Sequence, residues 1–129
     1  MPMKSKTALG NNILVAEDDP FLSKIITNRL IEEGFSIDHA LDGAIALQMM
    51  TKKKYGLLLL DLIMPNMSGF EVLAELNKKK IKIPVLVFTN LAQKEDEKEV
   101  MSLGAKGYYV KSDISIDELV KTVKTFIRP

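Results

Sequence analysis

Short apolar runs alternate along this chain with longer segments in which apolar residues recur at helical spacing. Continuous apolar runs at residues 13–16, 57–60, 85–88 and 108–110 are typical of strands buried on both faces. Residues 35–39 alternate apolar and polar side chains, which favours a strand at a sheet edge with one wetter face. A helix-spaced segment follows each run, so the pattern predicts five β–α units.

Capping residues mark where several of these helices begin. Asp19 stands before Pro20, a combination that predicts an N-cap followed by proline in the first helical turn. Ser68 and Ser115 are each followed three residues later by glutamate, which is the spacing of a capping box. The last of these, over residues 116–127, predicts the cleanest amphipathic helix of the chain.

Two further helices have weaker or different signals. Asp42 and Gly43 open a segment that predicts a helix through about Lys52. Residues 92–103 are mostly charged and have few apolar anchors before Gly104, so this fourth helix has a thin core stripe. We expect it to be the helix that shifts most readily.

Five β–α units of this length predict an α/β fold, with a parallel sheet and helices on both faces. Closing an eight-stranded barrel would take about twice the chain, so we expect an open doubly wound sheet of five strands with five helices. The division expected is a flexible N-terminal leader at residues 1–11 and one domain at residues 12–129.

Composition excludes several function classes. The chain has 129 residues, with 18 Lys plus Arg against 17 Asp plus Glu, so its net charge of +1 gives no global attraction to nucleic acid or to an anionic membrane. Cysteine is absent from the sequence, which excludes a disulfide framework and a thiolate metal site. No membrane-length apolar run and no signal-peptide pattern is seen, so the expected location is the cytoplasm.

Polar residues follow four of the predicted strands. Glu17 and Asp18 follow the first strand, Asp61 the third, Thr89 ends the fourth and Lys111 follows the fifth. The carboxyl ends of parallel strands lie along one edge, and open α/β sheets bind ligands there. Each residue alone reads more simply as a helix cap, a strand-end residue or a solvated lysine. Their joint placement predicts one shared site.

The residue types at this edge predict phosphoryl chemistry with a divalent cation. Three carboxylates in one place need a cation, and an all-oxygen ligand set suits Mg²⁺ (or Mn²⁺), which often shares substrate phosphates. Asp61, central in the sheet, is the best-placed nucleophile for attack on phosphorus. Thr89 could donate its hydroxyl, and Lys111 a positive charge, to phosphoryl oxygens.

These motifs resemble those of a receiver domain of the CheY-like type from two-component response regulators. The resemblance covers Asn12 to Arg128, and four segments carry it in order: Ala16-Glu17-Asp18-Asp19-Pro20, Leu60-Asp61-Leu62-Ile63-Met64-Pro65 with Ser68-Gly69, Val87-Phe88-Thr89, and Gly107-Tyr108-Tyr109-Val110-Lys111. It implies a flavodoxin-like sheet with strand order 2-1-3-4-5.

The resemblance also implies a role for each residue. Asp61 is the phosphoacceptor, Asp18 and Asp61 bind Mg²⁺ directly with the backbone carbonyl of Ile63, and Glu17 acts through water. Thr89 and Tyr108 are the switch residues: Thr89 moves towards the phosphoryl group and Tyr108 turns inward, with Tyr109 on the other face.

The resemblance further implies partners for the chain. These are a sensor histidine kinase or a histidine phosphotransfer protein, and an unknown effector. The fourth helix, fifth strand and fifth helix form the output surface and a possible dimer interface. The chain departs from the family pattern at Ser112, where proline is usual, and at Asn90, where a small residue is usual.

Two other functions remain open from the residues. A small aspartyl-phosphate phosphohydrolase would use similar chemistry, but such enzymes place a second acid two residues after the nucleophile, where this chain has Ile63. A docking module that works unphosphorylated is the other alternative. The expectation is a chain that is not an enzyme beyond its own phosphoryl transfer and dephosphorylation.

The remaining polar features have structural interpretations. His39 stands alone on the predicted edge strand and reads as surface or filler rather than as a phosphodonor. The lysine runs at residues 52–54 and 78–80 fall at helix C-termini, where the macrodipole favours cations. We therefore expect no nucleic-acid binding and no membrane binding by this chain.

Overall fold

The computed structural model describes residues 10–129, and most of the predicted leader, residues 1–9, lies outside the described residues. Strands and helices alternate from Asn12 to Phe126 as the apolar pattern predicts. The strands are β1 (Asn12–Ala16), β2 (Ser36–Ala40), β3 (Leu57–Leu60), β4 (Val85–Thr89) and β5 (Gly107–Val110). The helices are α1 (Pro20–Glu32), α2 (Gly43–Lys52), α3 (Gly69–Lys78), α4 (Lys94–Ser102) and α5 (Ile116–Phe126).

All five strands are parallel and lie in the order β2-β1-β3-β4-β5, which confirms the predicted fold class. The alternating strand, β2, is at the edge as expected. The order reverses at β1 and β3, and the residues that follow these two strands therefore flank the topological switch point. This is where the predicted site lies.

Successive strand residues point to opposite faces of the sheet, and helices pack on both faces, so the side chains on each face are buried. Ile13, Val15, Leu57 and Leu59 pack with α1 and α5 on one face. Leu14, Ala16, Leu58 and Leu60 pack with α2, α3 and α4 on the other. The continuous apolar runs of β1 and β3 thus supply both cores at once.

The helix ends follow the capping signals in the sequence. The Asp19 side chain accepts hydrogen bonds from the backbone N–H groups of Phe21 and Leu22, with Pro20 in the first turn. Reciprocal capping boxes form at Ser68 and at Ser115. Each such cap satisfies backbone donors that a helix start leaves free, which is typically worth about 1 kcal/mol.

Three details differ from the sequence-based expectation. Helix α4 begins at Lys94 rather than near residue 92, and its N-cap, Gln93, makes no side-chain capping bond. Lys111–Asp113 forms a short 3₁₀ turn that the pattern did not predict. Ile127 caps α5 in an extended conformation instead of continuing it.

Helix α4 is held mainly by its C-terminal half. Val100 is its buried residue, and its first turn is acidic, with Glu95, Asp96 and Glu97. This confirms the thin core stripe predicted for the fourth helix. Within residues 10–129, no helix has the length and apolar character needed to cross a membrane.

Candidate functional site

The structure brings together the acidic residues that follow β1 and β3. Carboxylate oxygens of Glu17, Asp18 and Asp61 all lie within 4.8 Å of one another. Glu17 and Asp61 are buried, at 3% and 6% exposure, while Asp18 is exposed. The group, which we call the acidic site, is therefore a cluster with a buried wall and one side open to solvent.

Lys111 closes the buried side of the acidic site. Its Nζ lies 2.8 Å from Glu17 Oε1 and 3.0 Å from Asp61 Oδ2, and its side chain is 12% exposed. The ammonium also lies 5.7 Å from the centre of the Phe88 ring. The last residue of β5 and the 3₁₀ turn after it place this lysine across the sheet from β1.

Burial and charge act in opposite directions on these ionisable groups. Burial raises the pKa of the Glu17 carboxyl, and the hydrogen bond from Lys111 lowers it by less. Burial also acts to lower the pKa of Lys111, but the hydrogen bond to Glu17 and the charge of Asp61 outweigh it, so the pKa of Lys111 is raised overall. Lys111 therefore remains charged at neutral pH.

The Asp61 carboxylate is held in one orientation. Its Oδ1 accepts a hydrogen bond from the backbone N–H of Leu62 at 2.7 Å, and its Oδ2 accepts one from Lys111. Behind it, Gly69 approaches so closely that a Cβ there would come 2.4 Å from the Asp61 carbonyl oxygen. A side chain at residue 69 would therefore force the backbone at Asp61 and Leu62 to shift.

The loop after Asp61 is fixed by contacts that sequence reasoning did not find. Asn66 adopts a left-handed backbone conformation, with φ of 68°, and its Nδ2 donates to Asp42 Oδ2 at 2.8 Å. Asp42 is buried and also caps α2 through Ile45. Ile63, the predicted carbonyl ligand, lies in this loop and is 58% exposed. Asparagine directly after proline is a turn signal in the sequence, and it could have indicated this bend.

His39 has a structural role that corrects its interpretation as surface or filler. The residue is half-buried on β2, and its Nε2 lies 2.8 Å from the backbone carbonyl oxygen of Glu17. The contact joins strands β1 and β2 at the point where β1 ends. Nothing in the local sequence indicated it, since the two residues are 22 positions apart.

Thr89 and Tyr108, the predicted switch residues, meet at the backbone of Leu91. Thr89 is fully buried, and its Oγ1 accepts a hydrogen bond from the Leu91 N–H at 3.3 Å. The Tyr108 hydroxyl donates to the Leu91 carbonyl oxygen. The hydrogen bonds of Thr89 within residues 10–129 do not reach Asp61 or Lys111. The structure thus places Thr89 at the same sheet edge but engaged with its own loop.

The aromatic pair of β5 points to opposite faces, as predicted. Tyr108 packs against the core shared by α2, α3 and α4, and Tyr109 against the core of α1 and α5. Asn90 and Ser112, the two departures from the family pattern, are both exposed. Neither side chain is buried against the acidic site.

The acidic site meets the requirements of a hard divalent cation. Its three carboxylates supply oxygen ligands, which Mg²⁺ prefers. Three negative charges and the one positive charge of Lys111 leave a net charge of two minus, which a divalent cation would neutralise. The donor chemistry and the charge both fit Mg²⁺.

Comparison with known proteins finds a matching family model and curated relatives of this chain. A model of the response regulator receiver domain matches residues 13–124. Response regulator RR06 of Streptococcus pneumoniae is 39% identical over 117 residues, which cover 91% of this chain and 53% of the relative. The chain spans about half the length of the curated relatives it matches.

Solved structures agree with this match. The receiver domain of the Francisella response regulator 1452 superposes with a TM-score of 0.85 and 31% identity, covering 90% of this chain and 95% of that one. The Thermotoga maritima response regulator TrrA, in complex with Mg²⁺ and BeF, gives a TM-score of 0.78 and 35% identity, covering 91% of this chain and 99% of that one.

Proposed function

The chain belongs to the response regulator receiver domain family, a family of signalling domains of two-component systems, and we propose that Asp61 is its phosphoacceptor. The observation that carries the proposal is the meeting of Asp61 with Lys111 and with two further carboxylates at the switch point of the sheet. The phosphodonor is a phosphohistidine of a sensor kinase or of a phosphotransfer protein.

Asp61 is poised to act as the nucleophile. One carboxylate oxygen forms a bond to phosphorus while the bond from phosphorus to the donor imidazole nitrogen breaks, and the electron pair stays on that nitrogen. The backbone N–H of Leu62 and the ammonium of Lys111 hold the carboxylate in place for this attack. The product is an acyl phosphate on Asp61.

Asp18, Asp61 and the Ile63 carbonyl would hold Mg²⁺, with Glu17 acting through water. The net charge of the acidic site and its oxygen donors support this assignment. When bound, Mg²⁺ would offset negative charge on the phosphoryl oxygens. The chain's own contribution is to keep three carboxylates close together, which Lys111 makes possible in the free protein.

Lys111 would change partners on phosphorylation. In the free protein its Nζ is shared between Glu17 and Asp61. A phosphoryl group on Asp61 brings nearly two negative charges and three acceptor oxygens to the same place. A charge-assisted hydrogen bond from Lys111 to one of these oxygens would replace its contact with the carboxylate.

The link through Leu91 suggests how the signal would travel. If the Thr89 hydroxyl turns to a phosphoryl oxygen, the Leu91 N–H loses its acceptor and the loop that holds the Tyr108 hydroxyl is released. Helix α4 follows this loop directly and has a weak N-terminal cap. The output surface of α4, β5 and α5 would then change shape for an effector or a second copy of the chain.

On this proposal the chain catalyses only its own phosphoryl transfer and dephosphorylation. A donor histidine phosphorylated from ATP would place the proposed reaction in the cytoplasm. Membership of the receiver family does not favour an independent phosphohydrolase, and Ile63 stands where such an enzyme would need a second acid.

The test is phosphorylation by acetyl phosphate with Mg²⁺, followed by intact mass. We expect a mass increase of one phosphoryl group in the native chain, none in Asp61→Asn, and a normal increase in the exposed control Asp117→Asn. An increase that survives in Asp61→Asn would refute the assignment. Binding of Mg²⁺ with beryllium fluoride, followed by NMR at Asp61 and Thr89, gives a second measurement that does not depend on donor reactivity. The absence of both effects would refute the proposal.

A further inference from the structure

A lysine-rich cavity lies at the opposite end of the sheet from the acidic site. The cavity, of about 570 Å³, is lined by residues 50–55 and 80–83, which precede β3 and β4. Because Asp61 follows β3 and Tyr55 precedes it, the full length of the strand separates the two sites. We call this cavity the basic groove.

The basic groove has a positive rim and an apolar floor. Five lysines line it and no acidic residue does: Lys52, Lys53, Lys54, Lys80 and Lys82. Lys53 is paired with Asp38 at 2.9 Å, whereas no ion pair formed within residues 10–129 involves the other four. Met50 is buried, and Tyr55, Ile81 and Ile83 are half-buried, so the floor offers apolar contact area.

The helix macrodipole accounts for only part of this charge. Lys52 lies in the last turn of α2, where a cation is stabilised. That effect fades beyond the last turn, and Lys54, Lys80 and Lys82 all lie outside the helices. The macrodipole therefore does not account for three lysines that converge from two separate loops on one cavity.

The backbone at Lys80 supplies an independent observation. Lys80 has a φ of 59°, in the left-handed region that favours glycine. The hydrogen bond from Ile81 N–H to the Leu76 carbonyl is the same helix-ending bond that Phe35 makes to Leu30 and Ala105 to Val100. At those two helix ends the left-handed position is glycine, at Gly34 and Gly104. At the groove the chain has lysine instead, at a cost in backbone strain.

We propose that the basic groove binds a nucleoside polyphosphate, with the phosphates among Lys54, Lys80 and Lys82 and the base on the apolar floor. The volume falls within the range of small-ligand cavities. Lysine ammonium groups bind phosphate as point charges, and the cations that line the groove are all lysines. The half-buried floor gives the base a surface that a bare phosphate would not need.

The test is calorimetric titration of the full chain with ATP in EDTA at low ionic strength. EDTA keeps the acidic site from binding a metal–nucleotide complex. We expect one ATP per chain, with tripolyphosphate and adenosine each bound at least about fivefold more weakly. NMR should show amide shifts at residues 53–56 and 80–83. Equal affinity for tripolyphosphate, shifts confined to the acidic site, or no ATP binding would each overturn the proposal.

Two variants separate binding from folding. Lys80→Gly relieves the left-handed strain, so its Tm should rise while its ATP affinity falls at least about fivefold. The charge reversal Lys54→Glu with Lys82→Glu should lower affinity at least tenfold. Lys121→Glu, an exposed lysine on α5, is the matched control and should bind ATP normally.

The variants also decide against the competing occupants. If Lys80→Gly raises Tm and leaves ATP affinity unchanged, Lys80 does not contact the ligand and the proposal fails. Tighter binding of duplex DNA or of a glutamate-rich peptide than of ATP, lost in the same variants, would overturn it in favour of a macromolecular partner. Phosphorylation of Asp61 is not needed for any of these measurements, so their outcome is independent of the proposed function.

Discussion

Replacing Lys111 by methionine removes the cation that the acidic site depends on. Methionine keeps most of the length and apolar volume of the lysine stem, so the substitution removes the charge with little loss of side-chain volume. The ammonium is lost, and with it the contacts of 2.8 Å to Glu17 and 3.0 Å to Asp61. Two buried carboxylates then face each other with backbone N–H donors but without a cation.

The expected cost follows from the burial of these groups. Breaking a buried ion pair by removing one partner typically costs ~3–5 kcal/mol, because the remaining charge is left uncompensated. The site opens to solvent at Asp18, which lets water reach the carboxylates, so we expect the lower end of this range. A loss of about 3 kcal/mol lowers Tm by roughly 10 °C in a domain of this size.

Mg²⁺ should reverse much of this loss. In the native chain a bound cation competes with Lys111 for the same carboxylates, and the net charge it meets is two minus. In Lys111→Met there is no competitor, and the net charge is three minus. Mg²⁺ should therefore stabilise the variant by more than it stabilises the native chain.

The assay is urea unfolding followed by circular dichroism at neutral pH, in EDTA and again with excess Mg²⁺. Lys121→Met, at an exposed position, is the control, and its free energy of unfolding should change by less than about 0.5 kcal/mol. If Lys111→Met unfolds like the control in EDTA, or gains less from Mg²⁺ than the native chain does, our account of the site is wrong.

Three further predictions concern the surroundings of the site. Asn66→Ala should lower the free energy of unfolding in urea by about 2 kcal/mol, because alanine is strained in the left-handed conformation and the hydrogen bond to Asp42 is lost. Asn66→Gly should lose only the hydrogen bond, since glycine adopts that conformation freely. Equal losses in the two variants would refute the contribution of backbone strain. Tyr108→Phe should speed hydrogen exchange across α4, because the Leu91 carbonyl loses its donor; unchanged exchange would contradict that link. Burial raises the pKa of the Glu17 carboxyl in the folded chain, so the stabilisation from its proton is complete below the ordinary glutamate pKa and is lost as the pH rises through the raised pKa. The free energy of unfolding of the native chain, measured in EDTA relative to Glu17→Gln, should therefore fall between these two pKa values. A difference between the two proteins that does not change with pH would exclude the raised pKa.

The strands and most helix boundaries could be predicted because their signals are local. The apolar run at residues 57–60 needs no knowledge of its neighbours to be recognised as a buried strand. Capping boxes at Ser68 and Ser115 are likewise contained in four consecutive residues. The start of helix α4 is the helix boundary that the sequence predicts least well. Gln93 gives no capping signal, and the charged first turn of the helix has no apolar periodicity.

The acidic site could be predicted because parallel topology alone brings strand ends together. Glu17, Asp18, Asp61 and Lys111 meet as expected from their positions after their strands. Their roles in phosphoryl transfer remain predictions that the experiments above test.

The contacts around the site could not be predicted from local sequence. His39 to Glu17, Asn66 to Asp42 and Tyr108 to Leu91 each join residues distant in the chain, and each involves one hydrogen bond. A single polar contact leaves no periodic pattern. Such partners become visible only when the backbone is in place.

The most direct test of the central claim is to locate the phosphoryl group chemically. Borohydride reduction of an acyl phosphate converts the labelled aspartate to homoserine, which tandem mass spectrometry can place after trypsin digestion. Asp61 is the sole aspartate between Tyr55 and Lys78, the bounds of its tryptic peptide. We predict homoserine at position 61 after treatment with acetyl phosphate and Mg²⁺, and none without Mg²⁺. Homoserine at position 18 or 19 instead, or an unmodified position 61 in chains that have gained a phosphoryl group, would contradict the account.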